Sequence, residues 1–456
     1  NSGIEANATT ITTKTSLKMK LSSICAYTSC DEVIRESINS SEEPFYVVDI
    51  QDVLRKHKNW LLKMPRVKPY YAVKCNSCPV VLELLAALGL GFDCASKTEI
   101  DSVLALNVSP ANIIFANPCK TMSFIKHASN VGVDLMTFDN EQELYKVAKH
   151  HPNSRLIIRI KVDDSHAVCQ FSAKFGADLD KAGHLLSVAK DLGLNVVGVS
   201  FHVGSGCENA KSYADAIANA KYVFDIATKI GFKMNILDIG GGFPGTSSVP
   251  ITFDEIAKVV GDSLNDHFPE DECDVAIIAE PGRYYVASAF TLATLVIAKR
   301  LVTTSDGQKA AMYYLNDGVY GSFNCTIFDH CDVYPSPFFG DVNQEHKIRE
   351  TLNSTLWGPT CDSMDCIKKD VMLPEMEVGE WIVFKEMGAY TIAAASTFNG
   401  FSLPSLKYFV NDYTLETLRQ FPSWPNIRKY LDIDEEDVDA KDFDVDIHHL
   451  GLIPVH

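Results

Sequence analysis

A chain of 456 residues, 46% hydrophobic and 22% charged, can bury a large core and lies outside the disordered class. By length it holds two domains, one of them able to absorb the ~250 residues of an α/β barrel. Its net charge of −18 disfavours nonspecific binding to nucleic acid or an anionic membrane, which both require a positive surface, and suits a cationic substrate. Thirteen cysteines, an odd number without a secretory segment, read as reduced thiols in a cytoplasmic protein. No apolar run approaches the ~20 residues that span a bilayer.

The first residues are Thr-rich and begin without methionine, which makes Met19 a candidate start. From Pro69 onward, short apolar runs alternate with helix-like runs. The strand candidates are Tyr70–Lys74, Gly91–Cys94, Asn112–Ala116, Leu135–Asp139, Leu156–Ile160, Val197–Val203, Ile236–Ile239 and Val275–Glu280. Between them, Val81, Leu84, Leu85 and Leu88, and later Tyr213, Ile217, Ala220, Phe224 and Ala227, follow the spacing of one-faced helices, closed by Gly89 and Gly231. Eight strand-helix units in series predict an α/β fold built on a closed (β/α)8 barrel of the TIM type, with an open doubly wound sheet as the competing architecture. Only the barrel brings the polar residues at the strand ends to one mouth.

After about residue 290 the texture changes to aromatic and β-branched runs: Phe290–Ala298, Ala311–Leu315, Trp381–Phe384 and Tyr390–Ala394. This pattern predicts a mainly antiparallel β domain. The expected division is an N-terminal segment 1–45 packing with the β domain, a barrel at 46–290, the β domain at 291–410 and an acidic tail at 411–456. The acids from Ile433 to Asp446 lack the order of a calcium loop and read as a solvated tail.

Several residues carry chemistry. Lys74 ends the first barrel strand, where burial would favour imine formation and make it a Schiff-base nucleophile. Gly240, Gly241 and Gly242 follow one strand, and Glu280-Pro-Gly282-Arg283 follows another. Consecutive glycines let backbone amides approach a phosphate, and Arg283 offers a charge-assisted fork for the same anion. Asp93, Arg159, His202 and Ser205 lie at or just past other strand ends; His202 could lie flat on an aromatic ring, and Glu280 could hold a proton on a pyridine nitrogen. In the β domain, Cys361 on a turn of small residues could donate a proton. Asp329, Asp362 and Asp365 could receive an ammonium group, whereas Asp317 in Asn-Asp-Gly reads as a turn builder. Cys75 and Cys78 form a Cys-x-x-Cys pair without the second pair that zinc needs, so no metal site is expected.

With PYYAVKCN, GFDCASKTEI, FANPCK, GVSFHVGSG, LDIGGGFPG, IAEPGRYYVASAFTLA, YYLNDGVYGSFNC, WGPTCD, MGAYT and FNGF all in place, the chain closely resembles the eukaryotic ornithine decarboxylases. These have the alanine-racemase-like pyridoxal phosphate fold, and the match runs from about Pro44 to Phe409. The resemblance implies pyridoxal 5'-phosphate as cofactor and conversion of L-ornithine to putrescine and carbon dioxide, the first step of polyamine biosynthesis. It makes Lys74 the cofactor lysine, His202 the residue stacked on the ring and Glu280 the partner of the pyridine nitrogen. Ser205, Gly242, Gly282, Arg283 and Tyr390 would hold the phosphate, and Asp93 and Arg159 would order the surroundings.

The resemblance also implies a head-to-tail homodimer with shared sites, into which Cys361, Asp362 and Tyr320 enter from the partner subunit, and antizyme as a further partner. Asp329 and Asp362 would bind the distal ammonium, Phe398 would wall the leaving carboxylate, and Cys361 would protonate the α-carbon. Two residues depart from the family. Phe328 stands where tyrosine is common, which keeps a lysine decarboxylase open as an alternative, and Gln170 replaces a frequent arginine in the loop Asp163 to Lys174, expected to be mobile. The non-enzymatic alternative is an antizyme-inhibitor-like homologue.

Overall fold

The computed structural model describes residues 27–246, 249–340 and 348–433. The Met19 start and the acidic stretch after Ile433 lie outside the described residues. The described residues form two compact units, one within 56–287 and one of 27–55 together with those of 288–433. The first strand, β1 (Phe45–Asp49), belongs to the second of these.

The 56–287 unit is a closed barrel of eight parallel strands. In chain order they are β2 (Val67–Ala72), β3 (Gly91–Cys94), β4 (Ile113–Phe115), β5 (Leu135–Phe138), β6 (Arg155–Arg159), β8 (Asn195–Ser200), β10 (Ile236–Asp238) and β11 (Ala276–Ala279), and β11 pairs back onto β2 to close the ring. The closed barrel therefore prevails over the open sheet, and each strand falls within two or three residues of its predicted span. Tyr70, Ile114, Leu135, Ile157, Val197, Ile236 and Ile278, one from each of seven strands, pack together as the barrel core. Helices such as Pro79–Ala87 and Lys211–Ile230 form the crossovers; the latter ends at Gly231 in the left-handed conformation that suits glycine.

Two further strands, β7 (Ala167–Cys169) and β9 (Ser205–Cys207), pair antiparallel as a small ribbon. The loop expected to be mobile therefore carries a strand of its own, with Cys169 set against Ser205.

In the other unit, the long β12 (Phe290–Thr303) pairs with β13 (Lys309–Leu315), with β17 (Trp381–Phe384) and with β1, all antiparallel. β14 (Pro335–Phe338) flanks β17, while β15 (Thr351–Trp357), β16 (Cys366–Pro374) and β18 (Ser405–Phe409) complete the sheet. Two pairings, β13 with β15 and β1 with β18, are parallel. Residues two apart supply the core: Phe45 and Val47, Ala293 and Leu295, Trp381 and Val383, closed by Val33 and Ile34 from the helix Cys30–Ser37.

Three expectations are corrected. Residues 46–55 belong with the β unit, because β1 finds its partners in β12 and β18. Residues 411–433 are not tail: Asp412–Arg419 and Trp424–Tyr430 are helices that bury Leu415, Leu418 and Ile427. Tyr390–Ala394 is not a strand, since Tyr390 has φ +55° and Ile392–Ala394 forms a 3-10 turn.

Candidate active site

The barrel strands end where the polar residues begin. Lys74 sits in the short turn Val73–Cys75 that follows β2 rather than on the strand. Its Nζ donates to Asp93 on β3 at 2.5 Å, and its side chain is 42% exposed while Asp93 is buried. The lysine is thus held by a carboxylate and not by apolar burial. Cys75 and Cys78 beside it are buried.

After β8, His202 accepts the Gly204 amide on Nδ1 at 3.0 Å. Desolvation, with the charges of Arg159 and Lys74, holds the imidazole well below its usual range. A neutral ring with its hydrogen on Nε2 follows from both facts. The Phe171 ring packs edge-on against it at 4.9 Å between centroids. Arg159, at the end of β6, lies over the Phe175 ring at 5.2 Å.

The glycine run after β10 has no room for side chains. A Cβ on Gly240 (φ +64°) would lie 2.2 Å from the Phe201 carbonyl oxygen, and one on Gly241 would lie 2.8 Å from the Glu280 carbonyl oxygen and 2.9 Å from His202 Nε2. Tyr213 braces this turn by donating its hydroxyl to the Gly241 carbonyl at 2.9 Å. Arg283 Nη2 donates to Ser205 Oγ at 3.0 Å, which joins the two predicted phosphate ligands. Gly282, just before Arg283, packs over Cys75, whose Cβ would stand 2.8 Å from a Cβ placed there.

Glu280 is buried, and its Oε1 has no hydrogen-bond partner. Burial, together with the charges of Asp238 and Asp93, pushes its carboxyl well above the usual range, against the pull of Lys74 and Arg159. A buried acceptor without a donor suits a ligand that brings one.

The β unit carries the other set. Tyr320 donates its hydroxyl to Asp362 and stacks on Phe398, with centroids 4.3 Å apart and planes at 28°. The Met364 amide, more than the Tyr320 hydroxyl, holds Asp362 below the usual carboxylate range. Cys361 is exposed, with its amide donating to Asn399 Oδ1 at 3.2 Å. Asp329 is buried beside Phe328, which is 70% exposed.

Asp365 does not join them as an ammonium acceptor. It is buried and accepts the Val319 amide at 2.8 Å, the Thr360 amide at 3.0 Å and the Thr360 hydroxyl at 2.7 Å. Asp317 likewise builds its turn, taking the Gly318 and Ser322 amides at 2.8 and 3.1 Å. Sequence reading also passed over Phe171, Tyr213 and Asp238, although Asp238 immediately precedes the Ile239-Gly240 step and its strand-end position was a signal.

A lysine paired to a carboxylate at a strand end, a buried acid with an oxygen lacking a donor, and an Arg-Ser pair with a glycine turn fit a barrel of the pyridoxal-phosphate-binding class. The profile of the family described as "Pyridoxal-dependent decarboxylase, pyridoxal binding domain" matches residues 50–287. An ornithine decarboxylase of Rattus norvegicus is 50% identical over 404 residues, covering 86% of each chain. An antizyme inhibitor 2 of Xenopus laevis is 53% identical over 386 residues, 83% of this chain and 84% of its own. The solved structure of an arginine decarboxylase from Paramecium bursaria Chlorella virus superposes with a TM-score of 0.77 at 39% identity, covering 83% of this chain and all of that one. The chain belongs to the pyridoxal-dependent decarboxylase family. The residues present fit pyridoxal 5'-phosphate: Lys74 for the aldehyde, Arg283, Ser205 and the glycine amides for the phosphate, and the donorless Glu280 for the ring nitrogen.

Proposed function

We propose that this protein decarboxylates L-ornithine to putrescine, at the first step of polyamine synthesis. The observation that carries this reading is the presence in one chain of the assembled barrel set, with Lys74 paired to Asp93 and Arg283 to Ser205, and of the carboxylates Asp329 and Asp362 on the β unit. When bound, pyridoxal phosphate supplies an electron sink for the pair left behind by the departing carboxylate.

The chain's own residues do the rest. Lys74 Nζ would hold the cofactor's aldehyde carbon and would be the amine that the substrate's α-amine replaces and that frees the product. Arg283, Ser205, the amides of Gly241 and Gly242 and Tyr390 would take the phosphate, with the Gly240 amide held by Asp238. Glu280 would keep a proton on the ring nitrogen, and neutral His202 would lie against the ring without competing for that proton. Asp93 and Arg159 order the surroundings of Lys74 and Glu280. Asp329 and Asp362 hold the distal ammonium of the substrate, Phe398 gives the leaving carboxylate an apolar wall, and the Cys361 thiol delivers a proton to the α-carbon.

The exposure of Cys361 and the outward placing of Phe398 support a head-to-tail homodimer in which Cys361, Asp362 and Tyr320 complete the partner's site. Mixing Cys361→Ala with Lys74→Ala protein tests this: activity regained after subunit exchange is expected, and none regained would remove the shared site. Antizyme is a further proposed partner, and the reading of the cysteines as thiols supports a cytoplasmic location.

Two other readings have an observation each. Phe328 lacks the hydroxyl common in the family and leaves room for lysine. The similarity to an antizyme inhibitor 2 favours a non-catalytic binding role. Chromatography of the products from ornithine, lysine and arginine separates them. Putrescine as the dominant product is expected; cadaverine would move the substrate to lysine, and cofactor binding without any diamine would leave the non-catalytic role.

A further inference from the structure

The deepest carboxyl at the barrel mouth has no part in the scheme above. Asp238, the last residue of β10, is fully buried, and its Oδ1 accepts the Gly240 amide at 2.9 Å. The Gly240 carbonyl in turn accepts the Glu280 amide at 2.7 Å, so Asp238 sits behind both the phosphate turn and Glu280. The Asp238 and Glu280 carboxyls stand within hydrogen-bonding reach of each other, yet Asp238 Oδ2 and Glu280 Oε1 each lack a donor.

Two carboxylates are acceptors only, so they bond to each other when one of them holds a proton. Burial and the charge of Asp93 push Asp238 up to about 7, against the Gly240 amide, the Glu280 bond and Arg159. Burial, Asp238 and Asp93 raise Glu280 as well, against Lys74 and Arg159. Lys74 in the turn after β2, Asp93 on β3 and Arg159 on β6, together with neutral His202 after β8, are the charged and titratable neighbours that face the pair.

We propose that Asp238 is the positioning residue for Glu280: with the cofactor bound it carries the single proton of the pair, donates it to Glu280 through Oδ2 and keeps the Gly240 turn in place through Oδ1. Above about pH 7, once Asp238 has lost its own proton in the apoprotein, the pair holds one proton before and after binding; only its seat changes, from Glu280 to Asp238. Glu280 is thereby anionic and aimed when the ring nitrogen arrives. This rests on the pyridoxal phosphate reading of the site.

Asp238→Asn and Asp238→Ala test it, because asparagine keeps both the acceptor for Gly240 and a donor for Glu280. Absorbance titration of the apoprotein with pyridoxal phosphate gives the affinities. The Asn variant is expected within about threefold of wild type and the Ala variant weaker by about tenfold or more, the scale of a hydrogen bond to a charged group.

Melting of the apoproteins between pH 5 and 8 gives a second readout. A carboxyl whose folded pKa is raised stabilises the fold fully below its unfolded value of about 4 and loses that contribution as pH rises through about 7. Removing it should flatten the decline in the Asn variant. The proposal is overturned if Asn weakens binding as much as Ala, if neither weakens it, or if the Asn slope matches wild type. Should the Ala variant fail to fold, the affinity and slope of the Asn variant decide. Failure of wild type to bind pyridoxal phosphate would instead remove the cofactor reading.

Discussion

The barrel mouth and the loops of the β unit treat their functional side chains in opposite ways. At the barrel mouth several groups are already tied down within their own unit: Lys74 to Asp93, Arg283 to Ser205, Gly241 to Tyr213, Gly240 to Asp238. In the β unit the supports are tied down, and Asp362 is held by the Met364 amide and the Tyr320 hydroxyl. Asp317 and Asp365 are buried and spend their oxygens on backbone amides, while Cys361, Phe328 and Phe398 are presented outward. Under the proposed function, a cradle for a permanent cofactor is best held before binding, whereas residues that would read a transient substrate sit on loops braced from behind.

The comparison can be broken at several points. Lys74→Ala removes the covalent anchor, and decarboxylation should fall by at least ~10³-fold with loss of the cofactor's imine absorbance. Asp362→Ala should lower kcat/KM for ornithine by ~10²-fold through a lost charge pair and leave cofactor affinity unchanged. Asp365→Ala strips three donors of their acceptor and should cost about 3 kcal/mol of stability in denaturant titration, again without touching the barrel cradle. Ser205→Ala should raise the dissociation constant of pyridoxal phosphate by roughly tenfold, seen by absorbance titration, since one phosphate donor and the Arg283 contact are lost. Phe328→Tyr restores one hydroxyl on a 70% exposed ring and should move the ornithine-to-lysine ratio of kcat/KM by no more than ~5-fold.

The two regions also differed in how much of them the sequence made legible. Barrel strands are short apolar runs bounded by glycine and helix signals, so their spans and the residues at their ends could be read directly. Lys74, Asp93, Arg159, His202 and Glu280 all lie at or next to the ends of barrel strands. What failed there was local: Lys74 occupies a turn and an ion pair rather than an apolar strand end.

In the β unit, β1 and β18 pair across some 360 positions of sequence and carry no local signal of doing so. β16 holds Lys368, Lys369 and Asp370 on a solvent-facing, bulged stretch that does not alternate cleanly. The run after Tyr390 has strand-like composition, but Asn324 Nδ2 donates to the Thr391 carbonyl and the Thr391 hydroxyl donates to the Met387 carbonyl, which holds a turn. Asp365 looked like Asp362 in sequence; only the packing of Gly318 and Gly358 around it, where a Cβ on either would meet its carboxylate at 2.2 Å, reveals a support.

The most direct test of the division between cradle and reader is to titrate pyridoxal phosphate into wild-type and Asp362→Ala apoprotein and record carbon dioxide release from L-ornithine in the same samples. Equal cofactor affinity with release from ornithine lower by ~10²-fold in the variant at limiting substrate is the expected result. Loss of cofactor affinity in the variant would show that the β-unit residue helps to hold the cofactor, and full turnover by the variant would show that the substrate is read elsewhere.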